Sequence, residues 1–235
     1  MNFKDFAQNA QGAGKDRNVD VVFCIDGTGS MHGVINNLKE HAKRFKEELV
    51  EGLVEARTNV TSIRVRVIVF RDYGCDSEPM TCSEFFTLPA DQAEFEATLN
   101  AIEAYGGGDE PENGFEALYY AMNSKWVTGQ NDRQIIVLFT DTDALDLKER
   151  ADSVNYPAEM VDAAGLDNLW AGGQSQTCLL RDRCKRLIIF APAGTKYSEL
   201  IWNRTQFCPV EPNGGLKEID FSEIIKNIVK SATAV

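Results

Sequence analysis

The stretch VVFCIDGTGSMHG, residues 21–33, leaves an apolar run at Asp26 and passes through glycines alternating with hydroxyls toward a helix. From Val19 to Ile25 the chain is nearly continuously apolar apart from Asp20, the signature of a strand covered on both faces in a parallel sheet. Beyond the turn, Val34, Ile35, Leu38, Ala42, Phe45, Leu49 and Leu53 recur at helical spacing and predict one long amphipathic helix. Strand and helix make a βα unit. Gly27 and Gly29 make its turn sterically possible, and Asp26, Thr28 and Ser30 alternate along it so that their oxygens can converge on one point.

The remaining chain repeats this logic. SIRVRVIVF, from Ser62, is rich in β-branched residues, and SEFFTL follows a turn containing Gly74 and Pro79, which predicts an antiparallel edge strand. Phe95, Leu99 and Ile102 mark a second helix, and Phe115, Leu118, Tyr119 and Met122 a third. RQIIVLFTD and RLIIFAPAG read as buried strands, TQFCPV as a further strand, and Phe221, Ile224, Ile225, Ile228 and Val229 as a final helix. Strands alternating with helices imply a doubly wound α/β fold: a mostly parallel sheet with one antiparallel edge strand and helices on both faces. The polar residues 1–18 read as a loosely held lead-in, residues 19–235 as one domain, and residues 142–184, with AGGQSQ, as an insertion between two strands.

Composition narrows the function. The 235 residues carry a net charge of -12, which argues against nucleic-acid and anionic-membrane partners unless a basic patch is segregated. The dense basic run RDRCKR, residues 181–186, reads as a solvated turn. No apolar run approaches the ~20 residues that span a bilayer, and the N-terminus lacks the apolar region of a secretory signal, so a soluble, cytoplasmic protein is expected. Cys24 lies in an apolar strand and the other five cysteines form no C-x-x-C pair, which favours free thiols.

In an open parallel sheet, ligands bind beyond the carboxyl ends of the strands. Three loops there carry hard oxygen donors: DGTGS at 26–30, GGGDEPE at 106–112 and TDTDA at 140–144. Oxygen donors without cysteine or histidine suit Mg²⁺, with Mn²⁺ or Ca²⁺ as alternatives, rather than zinc. DGTGSM resembles the D-x-[ST]-x-S-M motif of von Willebrand factor type A domains; GGGDEPE resembles a G-G-x-D-x-P-E variant in that family, and VLFTD its strand-and-aspartate element. The resemblance spans roughly residues 19–232. It implies a metal-ion-dependent adhesion site, with Thr28 and Ser30 touching the ion through their hydroxyls, Asp26 and Asp141 near it, usually through waters, and Asp109 in the third-loop position where many adhesive members carry threonine. Three carboxylates around a divalent ion would leave a formal charge of about -1, so an incoming acidic ligand is attracted less than at a threonine-bearing site.

Each of these residues also has a structural role open to it. Thr28 and Ser30 are candidates to cap the following helix, and Asp109 and Glu112 fit a D-x-x-E capping box. Asp143 is an alternative ligand to Asp141. Trp170 and Leu169 suit either the core or an exposed anchor, and His32 reads as a rim residue. No catalytic set is recognisable: CIDGTG is similar to the D-x-D-G-T phosphatase motif, but Cys24 stands at the nucleophile position, and no nucleotide-binding fingerprint occurs. The expectation is therefore a module that binds another protein through the ion, by way of an acidic side chain or ordered rim loops. The competing readings are a metal-dependent phosphoester or amide hydrolase with Glu110 or Glu112 as base, and a metal-free scaffold.

Overall fold

A computed structural model describes residues 16–107, 111–172, 178–212 and 220–234. The strands are β1 (Asp16–Asp26), β2 (Asn59–Phe70), β3 (Met80–Cys82), β4 (Phe86–Leu88), β5 (Arg133–Phe139), β6 (Lys185–Pro192) and β7 (Thr205–Val210). The helices are α1 (His32–His41), α2 (Phe45–Glu55), α3 (Gln92–Asn100), α4 (Gly114–Met122), α5 (Ala163–Trp170) and α6 (Phe221–Thr233). They form the doubly wound α/β fold expected from the alternation of elements.

One sheet runs in the order β3-β2-β1-β5-β6-β7, with β4 also paired to β2. The five strands from β2 to β7 are mutually parallel. The antiparallel edge consists of two three-residue pieces laid end to end along β2: β4 opposite Ile63–Val65 and β3 opposite Ile68–Phe70. Successive side chains of a strand face opposite sides of the sheet, and both sides are apolar here. Phe23, Ile25, Val137 and Phe139 pack under α1, α2, α3 and α6. Val22, Cys24, Ile136 and Leu138 pack under α4 and α5. Burying side chains of this size contributes roughly 1.5–3 kcal/mol each, which explains why these strands are apolar on both faces.

Two expectations are corrected. The long first helix is two helices: the Arg44 N–H bonds the His41 carbonyl at 3.0 Å, one residue short of the helical ladder, before the regular spacing resumes at Glu48. The apolar stripe survives this turn because Ala42 and Phe45 both remain buried. The run RDRCKR is only half solvated. Arg181 and Arg183 are exposed, but Lys185 and Arg186 lie inside β6, where Lys185 reaches the Trp170 carbonyl and Asp182, and Arg186 the Ala234 carbonyl.

The described part of the segment between β5 and β6 is tied to the loop after β2 and to α4. Arg150 forms a two-pronged ion pair with the buried Asp72 at 2.9 and 2.8 Å, and the Tyr156 hydroxyl donates to Glu116 at 2.8 Å. Trp170 is 1% exposed and Leu169 is buried, so both belong to the core. All six cysteines are free thiols. Among the described residues, no helix is long and apolar enough to cross a membrane.

Candidate functional site

The chain runs from β1 outward to β2 on one side and from β5 to β6 and β7 on the other, so the strand order reverses between β1 and β5. That reversal opens a crevice at the carboxyl ends of the two strands. Asp26 ends β1 there, and Asp141 follows β5 after one residue, Thr140.

The local hydrogen bonds form a chain across the crevice. Asp26 Oδ1 accepts from the Thr28 main-chain N–H at 2.9 Å and the Thr28 hydroxyl at 2.6 Å, while Oδ2 accepts from the Thr140 hydroxyl at 2.7 Å. Ser30 Oγ donates to Asp141 Oδ1 at 2.9 Å and lies 3.3 Å from Thr28 Oγ1. The two hydroxyls have one proton each to share among these contacts, and either can be the donor between them. The other Asp141 oxygen, Oδ2, is buried with no hydrogen-bond partner among the described residues. Asp26 is fully buried, which pushes its carboxyl up to about 6; the bonds from Thr28 and Thr140 oppose the rise and the charge of Asp141 adds to it.

Thr28 and Ser30 do not cap the helix. Neither the short turn Gly29–Met31 nor α1 has a side-chain cap bond, in contrast to Asp162 and Asp220, which accept from Gly165 and Ser222 at the starts of α5 and α6. Met31, the last residue of the DGTGSM stretch, is wholly buried in the core and anchors the turn from below.

The third loop reaches the same crevice at its described flanks. Gly106 and Gly107 have φ of 76° and 73°, and a Cβ on Gly107 would lie 2.8 Å from Thr28 Cβ. The Tyr105 N–H bonds the Gly27 carbonyl at 3.1 Å. Asp109 and Glu110 lie outside the described residues. Glu112 does not complete a capping box: it forms a parallel bridge with Ala144, its N–H bonding the Asp143 carbonyl at 3.2 Å, and an extended residue cannot sit in the first turn of a helix. Helix α4 starts later, at Gly114. Asp143 is engaged elsewhere, accepting from the Ala144 and Lys196 N–H groups at 2.7 and 2.8 Å. His32 is exposed and contacts Asn36.

Three contributors escape sequence reasoning. Thr140 looks like a strand-end residue, yet it holds the back of Asp26. Arg71 is 3% exposed and donates to the carbonyls of Gly27, Tyr105, Glu78 and Glu103, clasping the first and third loops together. Tyr197 is buried, its hydroxyl occupying the place a Cβ on Gly114 would fill; burial, then the charge of Asp26, raises its pKa. An arginine directly after an apolar strand, in VIVFRD, was the one available signal. Among the described residues no three carboxylate, imidazole or thiol side chains gather to hold a metal; the donors here are two carboxylates and two hydroxyls.

A family model described as a von Willebrand factor A domain matches residues 20–160. The alpha-protein kinase vwkA of Dictyostelium discoideum is 25% identical over 151 residues, which cover 64% of this chain and 23% of that protein, so the chain spans less than a quarter of that relative. The pilus adhesin SpaC of Lactobacillus rhamnosus GG superposes with a TM-score of 0.56 at 12% identity, over 91% of this chain and 31% of that one. A von Willebrand factor type A structure from Catenulispora acidiphila gives 0.52 at 15% identity, over 92% and 43%. At such identities the structural likeness establishes the fold.

Proposed function

Because the chain belongs to the von Willebrand factor A domain family, we propose that it is a protein-interaction module holding a divalent cation, Mg²⁺ first, at the carboxyl rim of its sheet. Thr28 and Ser30 would bind the ion through their hydroxyl oxygens, and Asp26 and Asp141 would orient those hydroxyls and neutralise the charge. Asp109, two residues past Gly107, would supply the third loop. The ion would bridge to an acidic side chain of another protein. The observation that carries this reading is the convergence of the Thr28 and Ser30 oxygens, 3.3 Å apart, each within hydrogen-bond distance of a carboxylate. Hard oxygen donors gathered in this way suit Mg²⁺. That a pilus adhesin shares the fold agrees with an interaction role. Among the described residues no activated nucleophile accompanies the site, and the module is proposed to be non-enzymatic; six free thiols suit a reducing cytoplasm.

The test is thermal unfolding with Mg²⁺ and with chelator, for the native protein, Asp26→Ala and Ser30→Ala. Mg²⁺ at a hundred times its dissociation constant stabilises the native protein by about 2.7 kcal/mol, and neither variant responds. Equal stabilisation of all three would refute the site. Calorimetry on Asp109→Thr adds a second arm, in which metal binds more weakly; tighter binding would remove Asp109 from the ligand set. A pull-down from host extract with native and Asp26→Ala bait, in Mg²⁺ and in chelator, then identifies the partner.

A further inference from the structure

The proposed metal rim makes no use of the β3 edge of the sheet. Strand β3 pairs with β2 on its inner side and ends the sheet on its outer side. The Arg71 N–H bonds the Pro79 carbonyl at 2.8 Å and the Ser83 N–H the Val67 carbonyl at 2.9 Å, so Pro79, Thr81 and Ser83 face β2. By the alternation of an antiparallel ladder, Met80 and Cys82 turn their N–H and C=O groups outward. A cleft flanks each face of this edge. One, of about 460 Å³, has Val67, Val69 and Ile102 as its floor and Tyr105 and Glu103 on its rim. The other, of about 500 Å³, is lined by Tyr73, Met80, Tyr120 and Asn155. Glu78, Thr81 and Cys82 line both.

We propose that this edge takes an extended basic segment of a partner protein as an added strand, with alternate side chains entering the two clefts. An added strand supplies main-chain hydrogen bonds, while flanking pockets give specificity because its side chains point alternately to either face. The charge at the edge selects the occupant. Glu78 and Glu103 are exposed and, among the described residues, make no ion pair, whereas the one guanidinium in the first cleft, Arg71, is buried and directed at four carbonyls. A lysine- or arginine-bearing strand is attracted there, and an acidic one is repelled. The edge does not involve the ion, so this inference stands apart from the metal reading.

The probe is a fluorescein-labelled Val–Lys alternating octapeptide, with a Val–Glu octapeptide as control, followed by anisotropy in chelator so that the metal site plays no part. Saturable binding of the Val–Lys peptide, at least about tenfold tighter than the control, is expected, together with a reversed preference in the surface variant Glu78→Lys/Glu103→Lys. Cys82→Pro removes an outward N–H, a position where edge strands tolerate proline, and weakens binding at least about tenfold with an unchanged unfolding midpoint. Absence of saturable binding, equal affinity for both peptides, or indifference to both variants overturns the proposal. A concentration-dependent dimer abolished by Cys82→Pro assigns the edge to a second copy and overturns it as well.

Discussion

Ser30 Oγ donates to Asp141 Oδ1 at 2.9 Å across 111 residues of sequence, joining the loop after β1 to the loop after β5 where the strand order reverses. Ser30 is exposed, but its partner Asp141 is buried and, among the described residues, already short of a hydrogen bond at Oδ2, so deleting the hydroxyl leaves a buried carboxylate less satisfied. Ser30→Ala should cost about 1–3 kcal/mol without metal, yet remove the response to Mg²⁺. Urea midpoints measured with Mg²⁺ and with chelator separate the two effects. A variant that loses several kcal/mol in chelator would make Ser30 a structural residue.

Gly27 and Gly29 alternate with the same hydroxyls but face different surroundings. A Cβ on Gly27 would sit 2.6 Å from Val69 Cγ1 and 2.8 Å from the Arg71 guanidinium, whereas the nearest atom to one on Gly29 is the Gly106 carbonyl oxygen at 3.8 Å. Gly27→Ala is therefore expected to destabilise by about 1–3 kcal/mol through overpacking, and Gly29→Ala to stay within about 0.5 kcal/mol. Chemical denaturation of the two variants side by side checks this. Equal costs would mean that Arg71 yields more readily than its four hydrogen bonds suggest.

What the chain discloses in advance follows the range of the interactions concerned. The apolar strands, the helical stripe on α6 and the motif residues Asp26, Thr28, Ser30 and Asp141 are local patterns, and the last four do lie in one crevice. Glu112 departs from its expected role because D-x-x-E containing an early proline, Pro111, is a local capping signal, while the bridge from Glu112 to Ala144 is a contact between distant segments. Lys185 and Arg186 were misread for the same reason: charge predicts solvent, but the Trp170 and Ala234 carbonyls that receive them come from elsewhere in the chain. Thr140 and Arg71 act mainly through residues far away in sequence, Thr140 on Asp26 and Arg71 on the Gly27, Glu103 and Tyr105 carbonyls, so no spacing rule points to those partners.

Glu116 is fully buried on α4, and burial raises its pKa despite hydrogen bonds from Tyr156 and Asn113. A carboxyl raised in the folded state binds its proton more tightly there than in the unfolded chain. Its contribution to stability is fully present below the ordinary carboxyl value and is lost as pH rises through the folded-state value. Glu116→Gln keeps an acceptor for the Tyr156 hydroxyl and has no charge to bury. Stability curves of the two proteins between acid and neutral pH should thus diverge upward, with the variant increasingly the more stable. Parallel curves would show that Glu116 titrates alike in both states.

Arg71 offers the sharpest separation of architecture from site. Its Nε donates to the Gly27 and Tyr105 carbonyls at 3.0 and 3.2 Å, and its terminal nitrogens to Glu103 and Glu78 at 2.7 and 3.2 Å; the guanidinium also stacks on the Tyr105 ring at 4.0 Å. Arg71→Leu preserves bulk but strips partners from several carbonyls, each costing about 1–3 kcal/mol if it stays buried and unpaired. Because three of the four belong to the loops on either side of Thr28, those loops should loosen before the sheet does. Hydrogen exchange should accordingly show the Gly27 and Tyr105 amides losing protection while Val22, Phe23 and Ile136, in the central strands, retain theirs. Lysine at the same position carries the charge without the planar fork and should restore little of the protection. Uniform loss across β1 and β5 would instead place Arg71 in the global fold and not in a clasp on the site.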